Sequence, residues 1–250
     1  MSESPFDPDT AVIQPRRGRR EAAVAPRLLL TFTRADFQEV EALAGAGQNR
    51  RYVVDCPYRE ITWQGQAIGV AGPAPGAPYA VMVLEKLIAL GAQTIIALGW
   101  AGSLRPEAVI GHLLIPEAAY SEEGTSQHYP GAQTMSRPDP ALLQAGRQVL
   151  AGLACPWHCG PIWTTDAIYR ETKGKVADYG RRGLWAVEME MSALFNVARY
   201  RGVALAGVLV ISDELFTLSW RHGLRQPEFH QARRQARLAA LDILKAAGSG

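Results

Sequence analysis

Residues 94–102, which read TIIALGWAG, decide the fold class of this chain. Residues 94–98 are almost continuously apolar, which is typical of a strand buried on both faces of a sheet. The run VALAGVLVI at residues 203–211 has the same character. Between the strands, apolar residues recur at i, i+3 and i+4 over residues 79–90, with Pro78 before them and Gly91 after them, which predicts a helix. Buried strands that alternate with helices indicate an α/β protein.

The rest of the chain repeats this alternation without an internal repeat or an obvious linker. Residues 1–25 contain many prolines and arginines and few large apolar residues, so we expect a flexible N-terminal arm followed by a single domain at residues 26–250. The domain is predicted to be a three-layer α/β/α sandwich. Its further strands are expected at residues 28–33, 52–55, 60–63, 67–71, 112–115 and 161–164, and its further helices at residues 35–44, 140–150, 172–179, 191–200 and 228–245.

Composition restricts the kind of partner. The 250 residues are 48% hydrophobic, and 26 basic residues nearly balance 24 acidic ones. This balance argues against nucleic acid or a membrane as the main partner and favours a small molecule. Three cysteines and a polar N-terminus without an apolar signal region predict a cytoplasmic protein. Cys155 and Cys159 lack a second cluster of ligands, so no metal site is expected.

Ligands of open α/β sheets bind beyond the carboxyl ends of strands. Candidate ligand-binding or catalytic residues are therefore expected at three strand ends. The first is residues 99–102, where two glycines would let a loop backbone approach a ligand; an ordinary glycine turn is the alternative. The second is the pair Glu188 and Glu190. A carboxylate accepts two hydrogen bonds side by side, as the diol of a ribose requires. Their alternative role is that of acids at a solvated strand edge or helix start.

The third candidate is Asp213, which follows the most apolar strand of the chain. Burial at a strand end raises the pKa of a carboxyl group, which can then donate a proton to a leaving group. A role as the N-cap of the next segment is the alternative. Spacing alone does not choose between these interpretations.

Six segments in chain order resemble the family of purine nucleoside phosphorylases, uridine phosphorylases and related nucleosidases. They are residues 69–78 (GVAGPAPGAP), 95–104 (IIALGWAGSL), 111–116 (GHLLIP), 164–169 (TTDAIY), 187–194 (VEMEMSAL) and 210–213 (VISD). The resemblance implies a central mixed sheet that is partly barrel-like. It also implies an enzyme that cleaves the N-glycosidic bond of a nucleoside or a nucleoside-like compound.

Site residues follow from the same resemblance. It implies that Asp213 protonates or hydrogen-bonds the leaving base and that Arg225, or less favourably Arg221, accompanies it as a catalytic residue. The ribose would be bound by Glu190, Met189 and Glu188. The base would be bound by Trp100, Ala101, Gly102, Ile168, Tyr169 and Val187, with Ile168 where the family has an aromatic residue.

The nucleophile site departs from the family. Phosphorolytic members have a Gly-Asp-Pro-x-Arg loop, where residues 31–36 read TFTRAD, and an arginine where Ala97 stands. We therefore expect Gly99, Trp100 and Arg34 to form a phosphate or water site, with compensation available from Arg50, Arg51, Arg105 or Arg170. The resemblance favours phosphorolysis to free base and pentose 1-phosphate. Hydrolysis by water and nucleoside binding without catalysis stay open.

The remaining expectations concern partners. The resemblance implies no cofactor apart from phosphate as a co-substrate. It also implies a homo-oligomer, either a dimer or a hexamer built as a trimer of dimers.

Overall fold

The structure is a computed structural model that describes residues 11–44 and 50–247. The helices are α1 (Arg34–Glu41), α2 (Ala77–Ala89), α3 (Pro140–Ala151), α4 (Lys173–Arg181), α5 (Met191–Arg201) and α6 (Pro227–Ala246). The strands are β1 (Arg27–Thr31), β2 (Arg51–Val53), β3 (Cys56–Trp63), β4 (Gln66–Ala71), β5 (Thr94–Ser103), β6 (Leu113–Ser121), β7 (Met135–Ser136), β8 (Trp157–Thr164), β9 (Ala186–Glu188), β10 (Ala204–Glu214) and β11 (Arg221–His222).

The strands form one mixed sheet that closes on itself along part of its length. Its order is β11-β10-β6-β8-β9-β5-β1-β4-β3-β2, and β10 also pairs with β5. The five strands β5, β10, β6, β8 and β9 therefore form a closed ring. The predicted α/β sandwich with a mixed, partly barrel-like sheet is confirmed.

Five of the six helices described cover the sheet through two large apolar clusters, and α4 packs in a third, smaller one. In one cluster, Leu84 of α2 and Phe195 of α5 pack with residues of β1 and β10. In the other, Phe37 of α1, Leu142 of α3 and Phe229 of α6 pack on the opposite side. Local sequence sets the helix ends: α3 begins where the Asp139 side chain accepts a hydrogen bond from the Leu142 amide at 2.9 Å.

Two strands run further than the sequence predicts. β5 continues to Ser103, through residues 99–102, which were expected to form a loop, and β10 continues through Asp213 to Glu214. These extensions pair with each other, and Gly102 and Ser103 pair with β9 as well. Closure of the ring supplies these hydrogen-bond partners, so the glycines stay in the strand. Asp213 consequently lies inside a strand and is not a helix N-cap.

The N-terminal segment contacts the domain. Lys86 Nζ of α2 donates to the Arg16 carbonyl at 2.5 Å, and the Val24 amide donates to the Leu90 carbonyl at 3.1 Å. Val24 and Ala25 are buried. Residues 1–10 of the predicted arm lie outside the described residues. The mobility of the arm and the boundary at residue 26 stay predictions.

Candidate active site

A cavity of about 220 Å³ lies where β5, β9 and β10 end. Its lining combines four carboxyl side chains with small and apolar groups. The carboxyl side chains are those of Glu171, Glu188, Glu190 and Asp213, and the other lining residues are Phe32, Thr33, Pro75, Trp100, Ala101, Gly102, Ile168, Val187, Met189 and Ser212. The structure thus brings together the two acidic segments singled out from the sequence.

Asp213 is held against β5 by a close approach to a glycine. It pairs with Gly102 across the two strands, just after an irregularity in β10. A Cβ atom at Gly102 would lie 2.9 Å from Asp213 Oδ2, so only glycine leaves the carboxylate its position. Ser212 Oγ donates to Asp213 Oδ1 at 2.6 Å, and Trp220 Nε1 donates to Oδ2 at 3.1 Å. Burial is the main cause that raises the pKa of Asp213 above its ordinary value.

Glu188 supports the beginning of α5. Its Oε2 accepts hydrogen bonds from the amides of Glu190 at 2.7 Å and Met191 at 2.8 Å. Its Oε1 accepts from the Thr164 hydroxyl. Both oxygens are thus engaged by the protein itself, although the side chain also lines the cavity. Among the two interpretations of the Glu188–Glu190 pair, the helix-start role describes Glu188, which positions the next two residues.

Glu190 has a different environment. Its Oε1 accepts a hydrogen bond from the Gly76 amide at 2.6 Å, while its Oε2 accepts none from the described residues. The side chain is buried. Burial, followed by the neighbouring Glu188 charge, raises the pKa of Glu190 above its ordinary value. A buried carboxylate with an unused oxygen facing a cavity can accept hydrogen bonds from a ligand that carries hydroxyl groups.

Trp100 belongs to a buried charged cluster next to the cavity. Its Nε1 donates to Asp36 Oδ2 at 2.7 Å. The other oxygen of Asp36 accepts from Arg233 at 2.9 Å and from Arg237 at 3.0 Å. Both arginines also pair with Glu39. Their guanidinium groups are thereby committed within the cluster, and neither side chain lines the cavity.

The predicted arginines do not reach the cavity in this structure. Arg34 and Arg225 are exposed and are absent from the cavity lining. Arg221, the less favoured alternative to Arg225, pairs with Glu214 at 2.8 Å and does not line the cavity either. The cations considered as compensation are also elsewhere: Arg50 pairs with Glu41, Arg51 with Glu60 and Arg105 with Glu107, and Arg170 is exposed outside the lining.

The other predicted ligand residues are divided between the cavity and its surroundings. Ala101, Gly102, Val187 and Met189 line the cavity, as does Ile168, which is 54% exposed. Tyr169 is 96% exposed and is absent from the lining. Gly99 lies under the ring of Phe32, where a Cβ atom would be 2.5 Å from the Phe32 ring.

Sequence reasoning did not find five of the lining residues, which are Phe32, Thr33, Pro75, Glu171 and Ser212. Thr33 caps α1 and Ser212 precedes Asp213, so the sequence next to each of them could have indicated a place near the site. Glu171 had none, because a short helical turn at Ile168–Arg170 brings it to the cavity.

A larger cavity, of about 830 Å³, lies between α2 and the loop around residue 125. Its three acidic and lysine side chains already have partners: Glu85 pairs with Arg201, Lys86 with Glu21, and Asp166 accepts from the Gly124 amide. Carboxyl groups that converge on one point and could act on a bound ligand are found in the smaller cavity. We therefore place the candidate active site there.

Residues 11–44 and 50–247 contain neither a metal-binding cluster nor a membrane-spanning helix. No group of three or more His, Cys, Asp or Glu residues is arranged to hold a metal ion. Cys159 instead contacts Arg147 at 3.3 Å. None of the helices described has the length and apolar character needed to cross a membrane.

Comparisons with known proteins agree with this architecture. A guanosine phosphorylase of Halorubrum lacusprofundi is 30% identical over 173 residues, which cover 67% of this chain and 68% of that protein. In fold, the chain is similar to uridine phosphorylase from Vibrio fischeri ES114 (TM-score 0.78, 23% identity, 89% and 91% of the two chains). It is also similar to purine nucleoside phosphorylase from Toxoplasma gondii in complex with immucillin-H (TM-score 0.81, 21% identity, 90% and 92%). The family model described as "Phosphorylase superfamily" matches residues 28–247, and the chain therefore belongs to the phosphorylase superfamily.

Proposed function

We propose that this protein is a pentosyltransferase that cleaves the N-glycosidic bond of a nucleoside and transfers the pentose to phosphate. Membership of the phosphorylase superfamily and the similarity to a guanosine phosphorylase support this activity. The observation that carries the proposal is the presence of Asp213, which is half-buried, and Glu190, which is buried, in one cavity, each with a raised pKa.

Asp213 is assigned to the leaving base. As the bond between C1′ and the base nitrogen breaks, its electron pair leaves with the base, and a proton from Asp213 neutralises the charge that develops. The pKa of Asp213 is raised by burial, which favours the protonated form that this role needs. Ser212 and Trp220 orient the carboxyl group through their hydrogen bonds.

Glu190 is assigned to the pentose. Its unused Oε2, together with Oε1, can accept hydrogen bonds from two neighbouring hydroxyl groups of the sugar. Glu188 fixes the position of Glu190 through the Glu190 amide, and Met189 supplies an apolar contact at the cavity wall. These contacts would hold C1′ in a fixed position for the nucleophile, which is a large part of the catalytic task.

Hydrolysis by water is the second candidate, and one observation favours it. Within the part of the chain that the structure describes, the cavity lining contains four carboxyl side chains and no lysine, arginine or histidine. A phosphate anion needs cationic or N–H partners to offset the loss of its hydration and the repulsion of nearby carboxylates. A water molecule requires neither a cationic partner nor an N–H partner of this kind.

Chromatography of released base distinguishes the candidates. The protein is incubated with purine and pyrimidine nucleosides, with phosphate and after exhaustive removal of phosphate. Base release that requires phosphate and is matched by pentose 1-phosphate supports the transferase. Equal release without phosphate selects hydrolysis. No release from any nucleoside contradicts both and leaves a binding protein.

The proposal extends to a homo-oligomer, a dimer or a hexamer, in the cytoplasm. Exposed apolar side chains at the rim of the larger cavity, including Met82 and Ile13, support burial against a second copy. The three free cysteines agree with a reducing compartment. Light scattering after size-exclusion chromatography tests the oligomer, and a monomer at micromolar concentration would contradict it.

A further inference from the structure

Glu123 is a buried carboxyl group that lines neither cavity and that the chemistry above does not use. It follows β6, and its two oxygens accept hydrogen bonds from neighbouring hydroxyl and amide groups. The donors are the hydroxyl groups of Ser121, Ser126 and Ser192 and the amides of Thr125 and Ser126. A buried carboxylate needs partners of this kind to offset its loss of hydration. Glu123 is therefore held in one orientation by several segments of the chain.

These hydrogen bonds keep Glu123 ionised. Burial, the largest single influence, would raise the pKa of Glu123, but the hydrogen bonds from Ser126, Ser121 and Ser192 together outweigh it. The pKa of Glu123 consequently lies below its ordinary value. Because an ionised acceptor forms stronger hydrogen bonds than a neutral one, each donor is held firmly in place.

Ser192 connects Glu123 with the candidate active site. It is fully buried in the first turn of α5, two residues after Glu190. Its hydroxyl donates to Glu123 Oε1 at 2.9 Å, and its amide donates to the Thr164 hydroxyl at 3.1 Å. The Thr164 hydroxyl donates in turn to Glu188 Oε1. Glu123 and Glu188 thus hold the same helix start.

The segment that carries Glu123 also holds α5 at a second point. Asn196 lies one turn beyond Ser192 and is buried. Its side-chain amide donates to Ser126 Oγ at 3.0 Å and to the Gln133 carbonyl at 3.1 Å, and its side-chain oxygen accepts from the Gln133 amide at 2.9 Å. Residues four apart lie on the same face of a helix. Rotation of α5 about its axis would therefore break the hydrogen bonds of both Ser192 and Asn196.

We propose that Glu123 is a positioning residue for the pentose: through Ser192 it fixes the start of α5 and hence the direction in which Glu190 faces the cavity. The Glu190 side chain accepts from the Gly76 amide at 2.6 Å, and its orientation depends as well on where α5 begins. Two neighbouring hydroxyl groups reach a carboxylate together only if it is correctly oriented, and a misplacement of about 1 Å can cost on the order of 100-fold in rate. This inference rests on the proposed function and adds a residue to its pentose site.

The test is Ser192→Ala, which removes the hydroxyl link and leaves Glu123 with its other donors. Guanosine and uridine are each compared with the 2′-deoxy counterpart, which offers Glu190 only one of the two neighbouring hydroxyl groups. We expect the ratio of kcat/KM for the ribonucleoside over the 2′-deoxynucleoside to fall about fivefold, which is within the range that one hydrogen bond contributes. Glu123→Gln should lower this ratio as well. A merely structural role would lower kcat/KM for both sugars together and leave the ratio unchanged.

Ser136→Ala is the matched control. The Ser136 hydroxyl is also buried and donates to the Ser192 carbonyl at 3.0 Å, but it does not contact Glu123. Each substitution removes one buried hydroxyl group at the start of α5, and only Ser192→Ala should change the ratio. An equal fall in Ser136→Ala overturns the inference. A wild-type ratio in Ser192→Ala, with base release intact, also overturns it and leaves the proposed function standing.

Binding measurements separate this inference from the proposed function. If no nucleoside is cleaved, the proposed function fails, and calorimetric titrations with guanosine and 2′-deoxyguanosine decide alone. A wild-type preference for guanosine that Ser192→Ala reduces and Ser136→Ala keeps supports the inference. Equal affinities in the wild type, a preference that Ser192→Ala leaves unchanged, or no binding of either compound contradicts it.

Discussion

Substitution of Gly102 by alanine tests the geometry that holds Asp213 in place. The new Cβ atom would lie 2.9 Å from Asp213 Oδ2 and 3.0 Å from Leu215 Cδ1. Ordinary contacts of a Cβ atom begin near 3.4 Å. Because Gly102 is fixed by pairing with both β9 and β10, the atoms that give way are those of the Asp213 and Leu215 side chains, which must move by about half an ångström.

Such a displacement affects activity more than stability. Mild overpacking that side chains can relieve costs about 1 kcal/mol of the free energy of unfolding. A catalytic group displaced by about half an ångström loses roughly 10- to 100-fold in kcat, since about 1 Å costs on the order of 100-fold. We therefore expect Gly102→Ala to fold nearly as stably as the wild type while kcat for base release falls at least tenfold. Urea unfolding and steady-state kinetics measure the two quantities.

Gly174→Ala in α4 is the control, because its Cβ atom would come no nearer than 4.0 Å to the Thr172 hydroxyl. It should keep wild-type kcat. Wild-type kcat in Gly102→Ala would refute the assigned position of Asp213. A loss of activity that parallels a loss of folded protein would show that the effect is structural.

Two further predictions concern the other carboxyl groups. Glu188→Ala should lower the free energy of unfolding, measured by urea titration, by about 3 kcal/mol or more. The substitution leaves three buried donors without an acceptor, which are the Thr164 hydroxyl and the amides of Glu190 and Met191. An unchanged urea midpoint would refute the helix-start role of Glu188. Glu171→Gln should stabilise the protein at pH 8 but not at pH 4. The pKa of Glu171 rises from 4.5 to about 7 on folding, so its contribution to stability falls as pH rises through that window. The full shift corresponds to about 3 kcal/mol, and partial exposure reduces it to about 1–2 kcal/mol. Equal stabilisation at both pH values would contradict the raised pKa.

Apolar patterning was sufficient to predict the α/β sandwich, whereas the partly barrel-like sheet was expected only from the family resemblance. The runs at residues 94–98 and 203–211 lie in β5 and β10, neighbouring strands of the closed ring. What patterning could not predict was the length of these strands. Glycine and tryptophan at residues 99–102 have the local character of a turn, and only pairing with strands distant in sequence keeps them extended.

Site residues could be predicted from the sequence where they lie near the end of a strand. They could not be predicted where contacts between distant segments determine whether a side chain reaches the cavity. Glu190 and Asp213 are recognisable in sequence because each stands near the end of a buried strand. The engagement of Trp100 by Asp36, which commits the indole N–H, depends on α1 and α6 and has no local signal. Glu171 likewise reaches the cavity only through a turn.

The central claim is that Asp213 supplies the proton to the base that leaves this cavity. Asp213→Asn keeps the size of the side chain and removes its ability to donate that proton. We predict that kcat for base release from the best nucleoside falls by roughly 100-fold or more, as for loss of a general acid. The thermal unfolding midpoint should stay equal or rise, because burial no longer disfavours a charge at this position. A kcat within about threefold of the wild type, a difference of less than about 0.7 kcal/mol in the barrier, would contradict the account.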